Sequence, residues 1–333
     1  MTLDNLATLH TFTGTSSESW FYLVSAAIEA RSTYILPLLL SILHAVRRRD
    51  VSDLTADLRS LATEIVEMAV LLQKMQAECD PDVFYNSIRP YLAGWNNMSP
   101  AGLPNGVIYE GTKPFIANPV HPVDWTTGYR TYAGGSNAQS ALIQALDIVM
   151  GIDHRPTGEK KDAGGEGVPP PKKHEFIKEM RGYMPGPHRR FLEDLTRVSN
   201  LRDFIADYLG PEGHELKEAY DACLAGLRRF RDIHIQIVSR YILVPSGKVV
   251  VKKPNPGAET GTGGTQLIPF LKQVREETME GVAAEYTRGL IAQGLFPRES
   301  AKRSREVVEK TQTVGLAGVW ETGFDGGGGI CHW

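Results

Sequence analysis

One histidine set in an apolar stripe is the residue of this chain best placed for chemistry. Leu216, Tyr220, Cys223, Leu227, Phe230, His234, Ile237 and Tyr241 recur at steps of four and three. That rhythm puts them on one face of a single long helix over residues 215–244. Pro211 and Gly213 are expected to open it, and Pro245 with Gly247 to close it. His234 is the only ionisable member of the stripe apart from the weakly acidic Tyr and Cys. An imidazole buried among such neighbours stays neutral and needs a partner at each nitrogen. A neutral, desolvated imidazole is also the form that binds iron or zinc. The stripe fits a core histidine satisfied by a carbonyl or hydroxyl first, and a metal ligand as the alternative.

Other groups able to converge on it are few. Asp147 lies among the apolar Leu146 and Met150, and Arg231 precedes His234 by one turn. An acid and a guanidinium there either orient a metal ligand or form a helix-to-helix ion pair. The loop at 261–265, GTGGT, opens a helix but lacks the lysine and spacing of a phosphate loop. It reads as a linker with a cap or as a site for a small anion such as a carboxylate. Arg89, in SIRPYLAGW, has Ile88 and Tyr91 beside it. It either snorkels to solvent or grips a carboxylate with two hydrogen bonds.

The elements that position these groups read as helices. Residues 1–18 are a lead-in ending in TGTSSES, a helix-start signal. Residues 19–49 read as helix, kinked or broken at Pro37. A second long helix over 53–77 carries the stripe Leu54, Leu58, Leu61, Ile65, Met68 and Leu72. A shorter one bears Phe84, Ile88 and Arg89. Residues 96–135 lack periodicity, as functional or disordered segments of that length do. Ser136 and Gln139 have capping-box spacing, and a helix through Leu146 to Gly151 is expected after them. Residues 154–173 and 246–264 are polar, rich in Gly and Pro, and expected to be mobile. Helices resume over 175–183, 188–196, 200–209 and 265–293. Apart from a short strand at 248–252, nothing calls for a sheet. The expected divisions are 1–18, a helical domain over 19–293, and a tail over 294–333.

Composition narrows the function. At 333 residues, 42% hydrophobic and 23% charged, the chain suits a globular protein with a sizeable core. A net charge of −3 with acids around each basic cluster argues against nucleic acid. The most apolar run, 34–43, is too short to cross a bilayer, and the N-terminus lacks signal-peptide features. Cys79, Cys223 and Cys331 form no spaced framework, so a reducing, cytoplasmic setting is expected.

Five blocks in order carry a more specific signal: FYNSIRPYLAGW, YAGGSNAQSALIQALDIVMGID, YMPGPHRRFL, LKEAYDACLAGLRRFRDIHIQIVSRYILVP and GTGGTQLIPFLKQVREET. Together they resemble the indoleamine 2,3-dioxygenases over residues 20–278. The resemblance implies an all-α, helical haem-binding domain in which His234 is the proximal ligand of the iron of a haem b. It implies that Arg231 lies near a haem propionate with Asp147 as its paired acid, and that Ser136 and Thr262 lie near substrate and propionate. It gives Arg89 the substrate carboxylate, Phe84 the distal aromatic position and Ser25 a place deep in the pocket. Phe21 and Tyr22 become pocket-wall aromatics, and Tyr85 stands where a second phenylalanine is usual.

The implied activity is haem-dependent insertion of O2 across the indole 2,3 bond of tryptophan or a relative, giving an N-formylkynurenine-type product. Another indole from a secondary-metabolite pathway, or O2 binding without turnover, are the alternatives. Family members usually carry a further N-terminal domain that closes one wall of the pocket. That wall is expected to be absent, shortened or supplied by a second chain in an oligomer. The tail after residue 298, ending FDGGGGICHW, matches no part of the resemblance.

Overall fold

The computed structural model describes residues 3–96, 98–99, 102–110, 128–158, 175–208, 210, 212–248, 267–280, 312–315 and 318–321. The chain divides into two compact units, Met1–Gly281 and Val282–Trp333.

Among its described residues the first unit is all-helical apart from two isolated bridges, Met98 with Leu103 and Val107 with Arg130. Helix α1 (Ser16–Ala30) starts at Thr15, whose side chain accepts the Glu18 backbone N–H. Glu18 itself is fully buried and accepts the backbone N–H groups of Phe12 at 2.9 Å and Thr13 at 2.6 Å. Burial pushes its carboxyl up, but bonds from Thr13, Phe12 and Tyr22 outweigh that and hold it below its ordinary value. This carboxylate pins the lead-in to the first turn of α1.

Helix α2 (Ser32–Arg48) follows after a break at Arg31 and contains Pro37 in its interior. The expected break at Pro37 is therefore misplaced. The proline lies in the second turn, where its missing N–H removes one bond of the ladder without ending the helix. Ser16–Arg48 together are long and apolar enough to cross a membrane by length and composition, a span that the apolar run 34–43 understates. Here the α2 face carrying Ile35, Leu39 and Ile42 is fully buried and α2 packs on α3 (Val51–Gln73). Asp50 caps α3, its carboxylate accepting Asp53 N–H at 3.1 Å.

The stripe of α3 is buried at every expected position, from Leu54 to Leu72. Its main partner is α11 (Gly213–Val238). Gly226 lets the two helices close: a Cβ there would lie 2.9 Å from Ile65 Cγ2. Cys223 Sγ donates to Leu58 O at 3.1 Å across the same contact. The α11 stripe is buried at Leu216, Tyr220, Cys223, Leu227, Ile237 and Tyr241, with Phe230 and His234 half-buried.

Between the two long helices come α4 (Met75–Glu78), α5 (Pro81–Val83), a π-helical turn (Phe84–Ile88) and α6 (Arg89–Leu92). Then follow α7 (Ala141–Val149), α8 (Glu175–Met180), α9 (Gly186–Val198) and α10 (Leu201–Asp207). The helical course does not stop at Pro245: a π-helical turn (Ser239–Leu243) follows α11 and leads into α12 (Val244–Lys248), which carries the proline as its second residue. Helix α13 (Leu267–Glu277) packs on α11.

In the second unit, β1 (Gln312–Gly315) pairs antiparallel with β2 (Gly318–Glu321), Thr313 facing Trp320. This hairpin corrects the expectation that the chain holds no sheet beyond 248–252. Most of 248–252 lies outside the described residues.

Candidate functional site

His234 sits on the inner face of α11, half-buried, and its ring has no hydrogen-bond partner among the described residues. Burial and the adjacent Arg231 charge push its pKa down to about 4. The imidazole is thus neutral with a lone pair on offer. Among the described residues no group of three His, Cys, Asp or Glu side chains gathers as a metal-binding set. An iron bound here would have one protein ligand, the arrangement of an iron held in a macrocycle. The donor set fits a haem and not a bare zinc or iron ion.

One turn earlier, Arg231 is buried with Asp147 from α7. Arg231 Nη2 donates to Asp147 Oδ1 at 2.5 Å, and Arg231 Nη1 donates to the hydroxyl of Thr278. Burial pushes the Asp147 carboxyl up, but Arg231 and His154 outweigh it and hold it below the usual carboxylate range. Helix α7 is held in place for this pairing by Tyr220, whose phenol donates to Met150 O at 2.6 Å.

The aromatic side of the site forms around the two π-helical turns, which touch each other. Single π turns inside helices widen the backbone and recur at functional sites. Phe84 opens the first, and its ring lies 5.1 Å from Phe21 and 5.7 Å, edge-on, from Tyr241 of the second. Phe21 meets Tyr22 at 5.5 Å. Phe84 belongs to the same buried cluster as Ile233, next to His234, and Ile237, one turn further on. Burial and then Glu18 raise the Tyr22 pKa, and its phenol is committed to that carboxylate. Ser25 Oγ donates back to Phe21 O at 3.0 Å.

Arg89, the first residue of α6, stacks over Tyr85 with 5.4 Å between its guanidinium and the ring centre. Burial lowers its pKa and the neighbouring Tyr85 opposes that. A weakly hydrated, ring-backed guanidinium suits a planar carboxylate. The end of α6 is stitched to the segment bearing Ser136. Trp95 N–H donates to Tyr132 O at 2.7 Å and Gly135 N–H to Leu92 O at 3.1 Å. The backbones approach so closely that a Cβ on Gly134 would lie 2.1 Å from Leu92 O, and one on Gly94 2.3 Å from Gly134 N.

Ser136 and Gln139 do form a capping box, but it closes a 3-10 turn (Asn137–Gln139). The α-helix begins after a second cap, Ser140, whose side chain accepts Leu142 N–H. Thr262 and the loop 261–265 lie outside the described residues.

His154 was missed by sequence reasoning. It stands at the start of the polar stretch 154–173, expected to be mobile, yet its side chain is 7% exposed and bonded at both nitrogens. Residues 159–173 of that stretch lie outside the described residues. No periodicity marks His154, because it follows the end of α7 and meets its partners only through the fold.

The chain matches the family model described as indoleamine 2,3-dioxygenase over residues 1–281. It is 40% identical over 303 residues to the indoleamine 2,3-dioxygenase of Saccharomyces cerevisiae, covering 83% of this chain and 62% of that protein. It is 34% identical over 294 residues to 6-hydroxytryptophan 2,3-dioxygenase fscD of Fusarium equiseti, covering 85% and 65%. With indoleamine 2,3-dioxygenase 1 of Mus musculus it shares 32% identity over 283 residues, covering 84% and 62%. The chain thus spans under two thirds of the length of these relatives. By the family match over its whole first compact unit and these identities, the chain belongs to the indoleamine 2,3-dioxygenase family.

Proposed function

We propose that the chain binds a haem b and serves as a dioxygenase, placing both atoms of O2 across the indole 2,3 bond of tryptophan or a tryptophan relative. The observation that carries this reading is the state of His234: neutral, without a ring partner among the described residues, and one turn from a buried, acid-paired arginine. When bound, the haem supplies the oxygen activation that no side chain here provides. His234 offers its nitrogen lone pair to the iron. Arg231, partly neutralised by Asp147, offers charge-assisted hydrogen bonds to a propionate. Arg89 takes the substrate carboxylate, and Phe84 and Phe21 pack the indole and keep water out. Ser25 and Tyr22 are bonded to Phe21 O and Glu18, so they shape the wall and neither is assigned a proton transfer.

The relative named for 6-hydroxytryptophan favours a second reading, a ring-substituted tryptophan as substrate of the same chemistry. A cytoplasmic setting suits both, Cys79 and Cys223 being buried free thiols. An absorbance spectrum of the purified protein, alone and with L-tryptophan or 6-hydroxytryptophan, tests the reading. A Soret band that shifts with one of them, lost in His234→Ala, and formation of the formylkynurenine product are expected. A Soret band without shift or product leaves an O2-binding protein, and no Soret band overturns the haem assignment.

A further inference from the structure

Five side chains close a ring behind the proposed cofactor site. Arg231 bonds Asp147 on one side and Thr278 on the other. Asp147 Oδ2 lies 3.1 Å from His154 Nε2, and His154 Nδ1 lies 2.7 Å from Glu277 Oε2. Glu277 and Thr278 are consecutive, so the circuit returns to Arg231 and joins α7, α11, α13 and the segment after α7. Glu277 and Thr278 are 3% and 1% exposed.

The geometry dictates the state of the imidazole. A neutral histidine has one N–H and one lone pair. With a carboxylate oxygen at each nitrogen, the neutral ring would turn its lone pair onto one of them. Only the imidazolium donates to both. The charges around it agree: Arg231, Arg155 and His154 face Asp147, Glu277 and Glu280. Glu277 also accepts from Gln273 at 2.9 Å and from the Arg155 backbone at 3.1 Å, and Asp153 acts on Arg155. Burial pushes the His154 pKa down, and Arg231 adds to that, but Asp147 and Glu277 outweigh both and raise it above 6.5. Burial pushes Glu277 up, and the bonds from His154, Gln273 and Arg155 outweigh it and lower it.

We propose that His154 is a positioning residue that, as an imidazolium, closes this ring and fixes the Arg231 guanidinium beside His234, so that cofactor retention depends on one proton at His154. The inference rests on the haem reading above and extends it to regulation of the same site. A folded-state pKa raised above 6.5 means the contribution is fully present below 6.5 and lost as pH rises through the folded value. With the proton gone, an uncompensated carboxylate is left inside the ring, and α13 and Asp147 no longer hold Arg231 from two sides.

The test follows haem transfer from the holoprotein to excess apomyoglobin between about pH 6 and about pH 9, the range over which a raised histidine titrates. Wild type is expected to release haem about tenfold faster for each pH unit between 6.5 and the folded His154 value, and to level off above it. His154→Ala should release it rapidly at every pH. His154→Lys, which keeps its charge over this range, should stay slow and flat, and guards against a variant that fails to fold. Imidazole nitrogen NMR of the full chain, with or without haem, should show both His154 nitrogens protonated at pH 7. Parallel pH profiles for wild type and His154→Ala, or a singly protonated His154 at pH 7, would overturn the proposal. If wild type takes up no haem at all, the haem reading fails and the positioning role fails with it. The nitrogen spectrum then still decides, separately, whether the imidazolium closes the ring.

Discussion

At the scale of single residues, the proposed function assigns Asp147 and Arg231 to the cofactor and Arg89 to the substrate. Asp147 and Arg231 are buried opposite charges at 2.5 Å, so removing Asp147 leaves the Arg231 charge without its acid, at a cost of about 3–5 kcal/mol, while removing Arg231 leaves Asp147 with His154 alone. A double-mutant cycle on haem affinity, Asp147→Asn with Arg231→Gln, is expected to show strong coupling. Simple additivity would separate them. Arg89 tests the substrate side. Its stacked, poorly hydrated guanidinium should strengthen two bonds to a carboxylate, and Arg89→Leu should weaken tryptophan binding by at least about tenfold, or ~1.4 kcal/mol. CO binding to the ferrous protein without substrate should be unchanged. Equal tryptophan affinity in both proteins would remove Arg89 from the site.

At the scale of elements, two close approaches set the site's dimensions. The crossing of α3 and α11 at Gly226 places the His234 face against the core. The seam between the end of α6 and the segment before Ser136 governs where Arg89 stands relative to α7. Gly134→Ala would put a Cβ 2.1 Å from Leu92 O, a backbone atom that cannot swing away. Overpacking of that kind costs about 1–3 kcal/mol. The variant is expected to unfold at lower urea and to bind tryptophan more weakly while keeping its haem, because α11 and α7 lie beyond the seam. Loss of haem in Gly134→Ala with unchanged stability would contradict this division of labour.

At the scale of the whole molecule, the compact unit Met1–Gly281 coincides with the extent of the family match. Every described site residue lies within it. Boundaries between compact units are crossed by few contacts and are where proteases cut first. Limited digestion is expected to leave a resistant fragment ending near Gly281 that retains the haem and the substrate-induced spectral shift. A digest in which haem is lost together with Val282–Trp333 would assign the second unit a part in the site.

The amino-acid pattern alone determined the long stripes of α3 and α11, because burial against a neighbour demands apolar side chains at helical spacing and nothing else produces that rhythm over so many turns. It therefore also located His234. The blocks around Arg89, Asp147 and Arg231 carried the family resemblance, which supplied roles that spacing could not. Helix ends were less legible: the break fell at Arg31 and not at Pro37, and α11 ran into a π turn before Pro245. Those ends are decided by packing and local hydrogen bonds, for which a proline is only one contributor. Of the ring, only the pairing of Arg231 with Asp147 was legible; the parts of His154, Glu277 and Thr278 were not. Its members are drawn from sequence-distant elements, none with a periodic signature, and His154 stands in a stretch whose composition reads as loop. Only the tertiary structure brings two carboxylates to one imidazole, and with them the charge that the imidazole carries.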